Sequence, residues 1–165
     1  MQWGRTMSNE TEMSMKKQYC TFCIDEHIFG VDVSYVQEVL RKQAISKVPL
    51  ASNAINGLIN LRGQIITSLN FRQRFGMSAN DEVISPMTVV LLTDGGTVSV
   101  VVDKVGDVIE VETKDLEPTP PHLDSRVRSI VENVYWHEGR FLLFIDVNKT
   151  VATEENLQFQ GRKVF

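Results

Sequence analysis

INGLINLRGQIITSL, Ile55 to Leu69, decides how this chain folds. Gly57 opens the run Leu58 to Leu61, Arg62-Gly63 makes a two-residue connection, and Gln64 to Leu69 returns with Ile65, Ile66 and Leu69. Two short apolar runs flanking a two-residue turn that ends in glycine predict a β-hairpin, because such turns need a left-handed backbone that glycine adopts without steric cost. Just beyond, Phe71 to Phe75 predicts a helical turn that stops at Gly76.

Working outward, the same pattern repeats. Tyr19 to Ile24 alternates, with Cys20, Phe22 and Ile24 on one side, and Asp25-Glu26-His27 turns the chain into Ile28 to Asp32. Met87 to Leu92 and Thr97 to Val102 flank a turn at Thr93 to Gly96, while Ile130 to Trp136 and Phe141 to Val147 are joined across His137 to Arg140. Val105 to Val111 adds a strand with Val105, Asp107, Ile109 and Val111 on one face and Gly106, Val108 and Glu110 on the other; apolar residues on both faces predict that it lies between two packed surfaces.

Helical signals are fewer. Ser34 and Gln37 have capping-box spacing, and Val33, Val36, Val39 and Leu40 recur at helical steps, predicting a short amphipathic helix with Gln37, Glu38 and Arg41 outward. Ser52 caps one turn after Pro49, and Pro118, Pro120 and Pro121 mark an irregular connection. Val147, Val151 and Leu157 with Glu154 and Glu155 predict a C-terminal helix fraying towards Phe165. Hairpins dominate, which favours one or two small closed barrels over a parallel-sheet fold. Residues 1–17 show no apolar period and read as a disordered arm, 18–152 as the domain, and 153–165 as a helix end or frayed tail.

The 165 residues correspond to about one domain, and 42% hydrophobic with 23% charged residues excludes a low-complexity body. Seventeen Lys+Arg against 21 Asp+Glu, a net charge of -4, argues against non-specific binding to nucleic acid or to an anionic membrane. No apolar run approaches the roughly 18 residues of a membrane span. Met1 to Lys17 lacks the apolar centre of a secretory signal, and with only Cys20 and Cys23 the chain reads as a cytoplasmic protein of a reducing compartment.

No catalytic or metal constellation can be assembled. Cys20 and Cys23 have redox spacing, but on a strand residues three apart point to opposite faces, and a structural zinc needs two more ligands. His27, His122 and His137 are scattered through loops, and no nucleophile elbow, phosphate loop or dinucleotide fingerprint is present. Asp103, Asp107, Glu110, Glu112 and Asp115 lack calcium-loop spacing and read as a solvated edge. ENLQFQG, Glu155 to Gly161, looks similar to a viral protease tag site and is taken as natural sequence. Glu38 and Arg62 stand out as a pair; each alone has an ordinary reading, Glu38 beside Lys42 on a helix surface and Arg62 as a solvated turn residue.

GVDVSYVQEVL (Gly30 to Leu40), INGLINLRGQIITSLNFRQRFG (Ile55 to Gly76) and VVVDKVGDVIEV (Val100 to Val111), in this order, resemble the CheW family of chemotaxis coupling proteins, and FLLFIDVNK (Phe141 to Lys149) is similar to its closing strand. The resemblance spans about Gln18 to Ala152. It implies a mainly β fold: two small five-stranded SH3-like β-barrels packed on a shared core, with short helices and a C-terminal helix. It further implies a non-enzymatic adaptor without cofactor, monomeric when free, that links chemoreceptor cytoplasmic tips to the regulatory domain of a CheA-type histidine kinase and supports receptor arrays. Carried over residue by residue, it points to Val36, Glu38, Gly57, Arg62, Val105 and Val108 as partner-binding positions, with Glu38 and Arg62 paired across the first barrel.

The chain departs from the family's usual PVIDLR at TSLNFR, Thr67 to Arg72, and carries His122 where the family tends to have an apolar residue. These departures keep open a paralogous coupler of a pilus-motility or other non-flagellar pathway. From another class, a small thiol redox protein using Cys20 and Cys23 is the alternative.

Overall fold

The computed structural model describes residues 15–80 and 82–151. Among them the chain runs through ten strands: β1 (Lys16–Ile24), β2 (His27–Asp32), β3 (Val36–Arg41), β4 (Ile55–Leu61), β5 (Gln64–Leu69), β6 (Met87–Thr93), β7 (Gly96–Val102), β8 (Lys104–Glu112), β9 (Val131–His137) and β10 (Arg140–Ile145). Three short helices, α1 (Phe71–Arg74), α2 (Ser125–Arg128) and α3 (Val147–Val151), lie between or after them. The strands form two five-stranded sheets, β8-β1-β2-β10-β9 and β3-β6-β7-β5-β4. The second sheet is one continuous stretch of chain, whereas the first is assembled from both sides of it.

The two sheets share one topology. Matching β3, β4, β5, β6 and β7 with β8, β9, β10, β1 and β2 in turn reproduces the strand order, and each sheet has one parallel pair, β5 with β7 and β10 with β2. In each, the segment after one outer strand spans the gap to the other outer strand by a single bridge, Ser46 to Leu58 and Glu117 to Val134, with paired backbone bonds of 2.8 and 2.9 Å. A short helix also follows the corresponding strands, α1 after β5 and α3 after β10.

Three apolar clusters hold this together. Ile59, Leu61, Ile66 and Val90 fill the second sheet and Tyr19, Val111, Leu142 and Phe144 the first. The largest cluster is shared: Phe22, Phe29, Phe71, Phe75, Leu91, Val100, Val134 and Leu143 come from both sheets, and Phe29 stacks on Phe75 with ring centroids 4.5 Å apart. β1 is buried on two sides because Tyr19 faces the first sheet's own cluster and Phe22 the shared one.

The hairpin that opened the sequence reading is present. Arg62 and Gly63 both take positive φ, 53° and 86°, the turn geometry that matches strand twist, and the Asn60 side chain accepts the Gly63 N–H at 2.9 Å. Asn70 caps α1, its side chain accepting the Gln73 N–H.

Two expectations are corrected. The helix predicted around Ser34 to Arg41 is a single 3-10 turn, Val33–Tyr35, followed by strand β3; β-branched Val36 and Val39 favour the strand, and pairing with β6 decides it. β8, expected between two packed surfaces, is an outer strand paired only with β1, and Val108 is 56% exposed. β1 begins at Lys16, where it pairs with the end of β8 at Glu112. Helix α2, which Asp124 caps through the Arg126 N–H, had no counterpart in the sequence reading. Most of the expected arm, the tail from 152 and ENLQFQG lie outside the described residues.

Candidate functional site

β-bulges place the candidate residues. In β3 the register passes from Val36 opposite Leu91 to Glu38 opposite Val90, so Gln37 is an extra residue. Residues two apart would share a face on a regular strand, but the bulge turns them to opposite ones. Val36 packs against the shared core beside Leu91, while Glu38 turns to the other side with Val90. The consequence is a carboxylate, only 22% exposed, aimed away from the shared core.

Arg62 meets it. Its two terminal nitrogens donate to the two Glu38 carboxylate oxygens at 2.7 and 2.8 Å, the forked geometry that the guanidinium plane favours. This pair links the two outer strands of the second sheet, β3 directly and β4 through its turn. The hydrogen bond from Arg62 holds the Glu38 carboxyl below the usual glutamate range, and the reciprocal bond raises the Arg62 guanidinium. Lys42, the helix-spaced partner considered for Glu38, is thereby replaced, since a strand separates four-apart residues by about 13 Å.

Gly57 lies against this chain's own backbone. It sits at a second bulge, with Asn56 as the extra residue, at φ 149°, and a Cβ there would lie 2.3 Å from the Ser46 carbonyl oxygen. The close backbone approach that glycine permits is therefore made by this chain's own Ser46, in the bridge that spans the sheet.

A third bulge lies in β8. Phe22 faces Val105 and Cys20 faces Val108, with Gly106 and Asp107 together opposite Thr21, whose hydroxyl donates to the Asp107 carbonyl at 2.7 Å. Three apart in sequence, Val105 and Val108 thus share a face, which corrects their assignment to opposite faces. Val105 reaches the shared core and Val108 is left exposed on the outer strand.

Sequence reasoning missed Arg72. Its side chain is 13% exposed, with Nη2 bonded to both Asp103 oxygens at 2.7 and 2.8 Å and Nη1 to Asp25 Oδ1 at 2.8 Å. Asp103 is thus an engaged ion-pair partner rather than part of a solvated edge, although Glu110 and Glu112 do lie at exposed contacts with Lys16 and Lys114. Nothing in the local sequence points to partners 31 and 47 residues away.

Thiol chemistry is poorly served. Cys20 is buried, and burial pushes its thiol up rather than down, away from the thiolate a redox centre needs. Among the described residues no group of three or more His, Cys, Asp and Glu side chains is placed to hold a metal, and no helix is long and apolar enough to cross a membrane.

The model of the CheW-like domain matches residues 18–155. The chain belongs to the CheW family. CheW proteins of known designation are similar along most of their length: the chemotaxis protein CheW of Rhizobium meliloti is 27% identical over 139 residues, covering 84% of this chain and 90% of its own, and that of Thermotoga maritima is 27% identical over 131 residues, covering 79% and 85%. The crystal structure of scaffolding protein TtCheW from Thermoanaerobacter tengcongensis superposes with a TM-score of 0.76 at 26% identity, covering 86% of this chain and 96% of that one. CheW proteins are scaffolds and adaptors of chemotaxis signalling, not enzymes, and this chain is one of them.

Proposed function

We propose that this chain couples the cytoplasmic tips of chemoreceptors to the regulatory domain of a CheA-type histidine kinase, working in the cytoplasm at membrane-associated arrays and monomeric when free. The observation that carries this reading is the forked Glu38–Arg62 pair, which joins the VQE and NLRG segments at the opening of the second sheet. Val36 and Val105 offer partly buried apolar surface and Val108 an exposed one, so an amphipathic receptor helix lays its apolar stripe against these valines while charged residues set its register. Gly57 serves this surface indirectly, by seating Ser46 against β4. The kinase meets the exposed edge and loops of the second sheet. Coupling then requires that the two contacts differ in free energy between the kinase-on and kinase-off states.

Calorimetry with a receptor cytoplasmic fragment and, separately, the kinase regulatory domain from the same genome tests the reading. Binding to both is expected. Binding to the kinase domain alone supports an array-filling or pathway-specific paralogue, such as the coupler of a pilus-motility or other non-flagellar pathway that the departures at Thr67 to Asn70 and His122 keep open. Binding to neither removes the coupling assignment, and activity lost on Cys20→Ser or Cys23→Ser would move it to thiol chemistry.

A further inference from the structure

Among the described residues, Arg72 makes the ion pairs that cross from one sheet to the other. It stands on α1, whose Phe71 and the following Phe75 are sunk in the shared core. One side of its guanidinium takes Asp25, in the β1–β2 turn of the first sheet; the other grips both oxygens of Asp103, the one residue between β7 of the second sheet and β8 of the first. The same nitrogen that holds Asp25 also donates to the Ser78 carbonyl at 3.1 Å.

Asp103 is fixed from every side. Its Oδ2 accepts the Asp25 N–H at 2.7 Å, and its own N–H donates to the Cys23 carbonyl at 2.9 Å. Burial by itself lowers the Arg72 pKa, but the hydrogen bonds to Asp103 and then Asp25 outweigh it and leave the guanidinium more firmly charged. A lysine ammonium is a single nitrogen and lacks the two separate ones, Nη1 and Nη2, that let the planar guanidinium hold a different carboxylate on each.

Asp103 precedes Val105 by two residues, so whatever holds Asp103 sets where β8 starts and where Val105 and Val108 stand. Glu38 and Arg62 belong to the other sheet. We propose that Arg72 is a positioning residue: by clamping the β7–β8 crossover and the β1–β2 turn to α1, it fixes the valine face of the first sheet relative to the charged pair of the second, so that both are presented in one geometry. The inference rests on the coupling reading for its consequence, not for its geometry.

The test uses the full chain with Cys20→Ala and Cys23→Ala and nitroxide labels at Ile65→Cys and Glu132→Cys, one exposed position on each sheet. Pulsed dipolar spectroscopy is expected to give one narrow distance distribution in this parent and one at least twofold broader in Arg72→Met. In the unlabelled chain, Arg72→Met leaves affinity for the kinase regulatory domain, which meets the second sheet alone, within twofold but weakens binding of the receptor fragment, whose valines come from both sheets, at least tenfold. A folded Arg72→Met variant with an unbroadened distribution overturns the proposal. Should that variant not fold, Asp103→Asn, which keeps an acceptor for the Asp25 N–H but loses the charged fork, gives the same comparison. If the parent binds neither partner, the coupling reading fails while the distance distributions still decide the role of Arg72.

Discussion

Glu38 and Arg62 are a surface ion pair by exposure, Arg62 being 68% exposed, so their effect on global stability is small. Their value lies in geometry, and charge reversal separates the two ways of using it. Glu38→Arg or Arg62→Glu alone is expected to weaken kinase control in reconstituted arrays with an unchanged circular dichroism spectrum. The double reversal restores control if the pair acts by holding β3 to the β4–β5 turn, and leaves it broken if a partner reads each charge directly. Acid tests the pair independently. Because Arg62 lowers the Glu38 pKa in the folded state, the pair contributes stability that is fully present above the unfolded value and lost as pH falls through the folded one. Urea midpoints of the parent and Arg62→Gln should therefore differ at about pH 6, above the usual glutamate value near 4.3, and draw together as pH falls below that value. The two valines of β8 give a further contrast. Val105→Ala opens space at the shared core and costs about 1–2 kcal/mol in chemical unfolding, whereas Val108→Ala stays within about 0.5 kcal/mol, so any loss of receptor binding by the latter is loss of contact.

At the level of elements, the bulges at Gln37, Asn56 and Gly106-Asp107 decide which way the candidate residues face. Each shifts register by one residue, and a one-residue shift exchanges the two faces of a strand. Gly57 shows the cost of interfering. Gly57→Ala sets a Cβ against the Ser46 carbonyl at a φ that side chains avoid, and is expected to lower stability by about 2 kcal/mol and to expose the Ser46 and Leu58 amides to hydrogen exchange. The hairpins were legible in the sequence because turn chemistry and alternation are local: Arg62-Gly63 and Asn60 specify their turn within four residues. Segment β3 was misread for the same reason. Val36 and Leu40, four apart, fit helical spacing and strand spacing alike, and only the backbone partners offered by β6 choose between them.

For the molecule as a whole, the shared core makes the two sheets one folding unit. Phe71→Ala should cost about 3–5 kcal/mol and keep a single unfolding transition seen alike by fluorescence and circular dichroism, because Phe71 packs with residues of both sheets. A variant that unfolds in two steps would show that the sheets are independently stable. By itself the sequence determined the class of fold, the hairpins, the acidic and non-catalytic character and, through its ordered motifs, the family. It also brought Glu38 and Arg62 forward as a pair. Only the tertiary structure decided that β8 is an outer strand, that Gly57 lies against the Ser46 carbonyl, and that Arg72 joins Asp25 and Asp103. The reason is range: turns and alternation are written between neighbours, whereas strand order, bulge register and the partners of a buried charge depend on residues dozens of positions away.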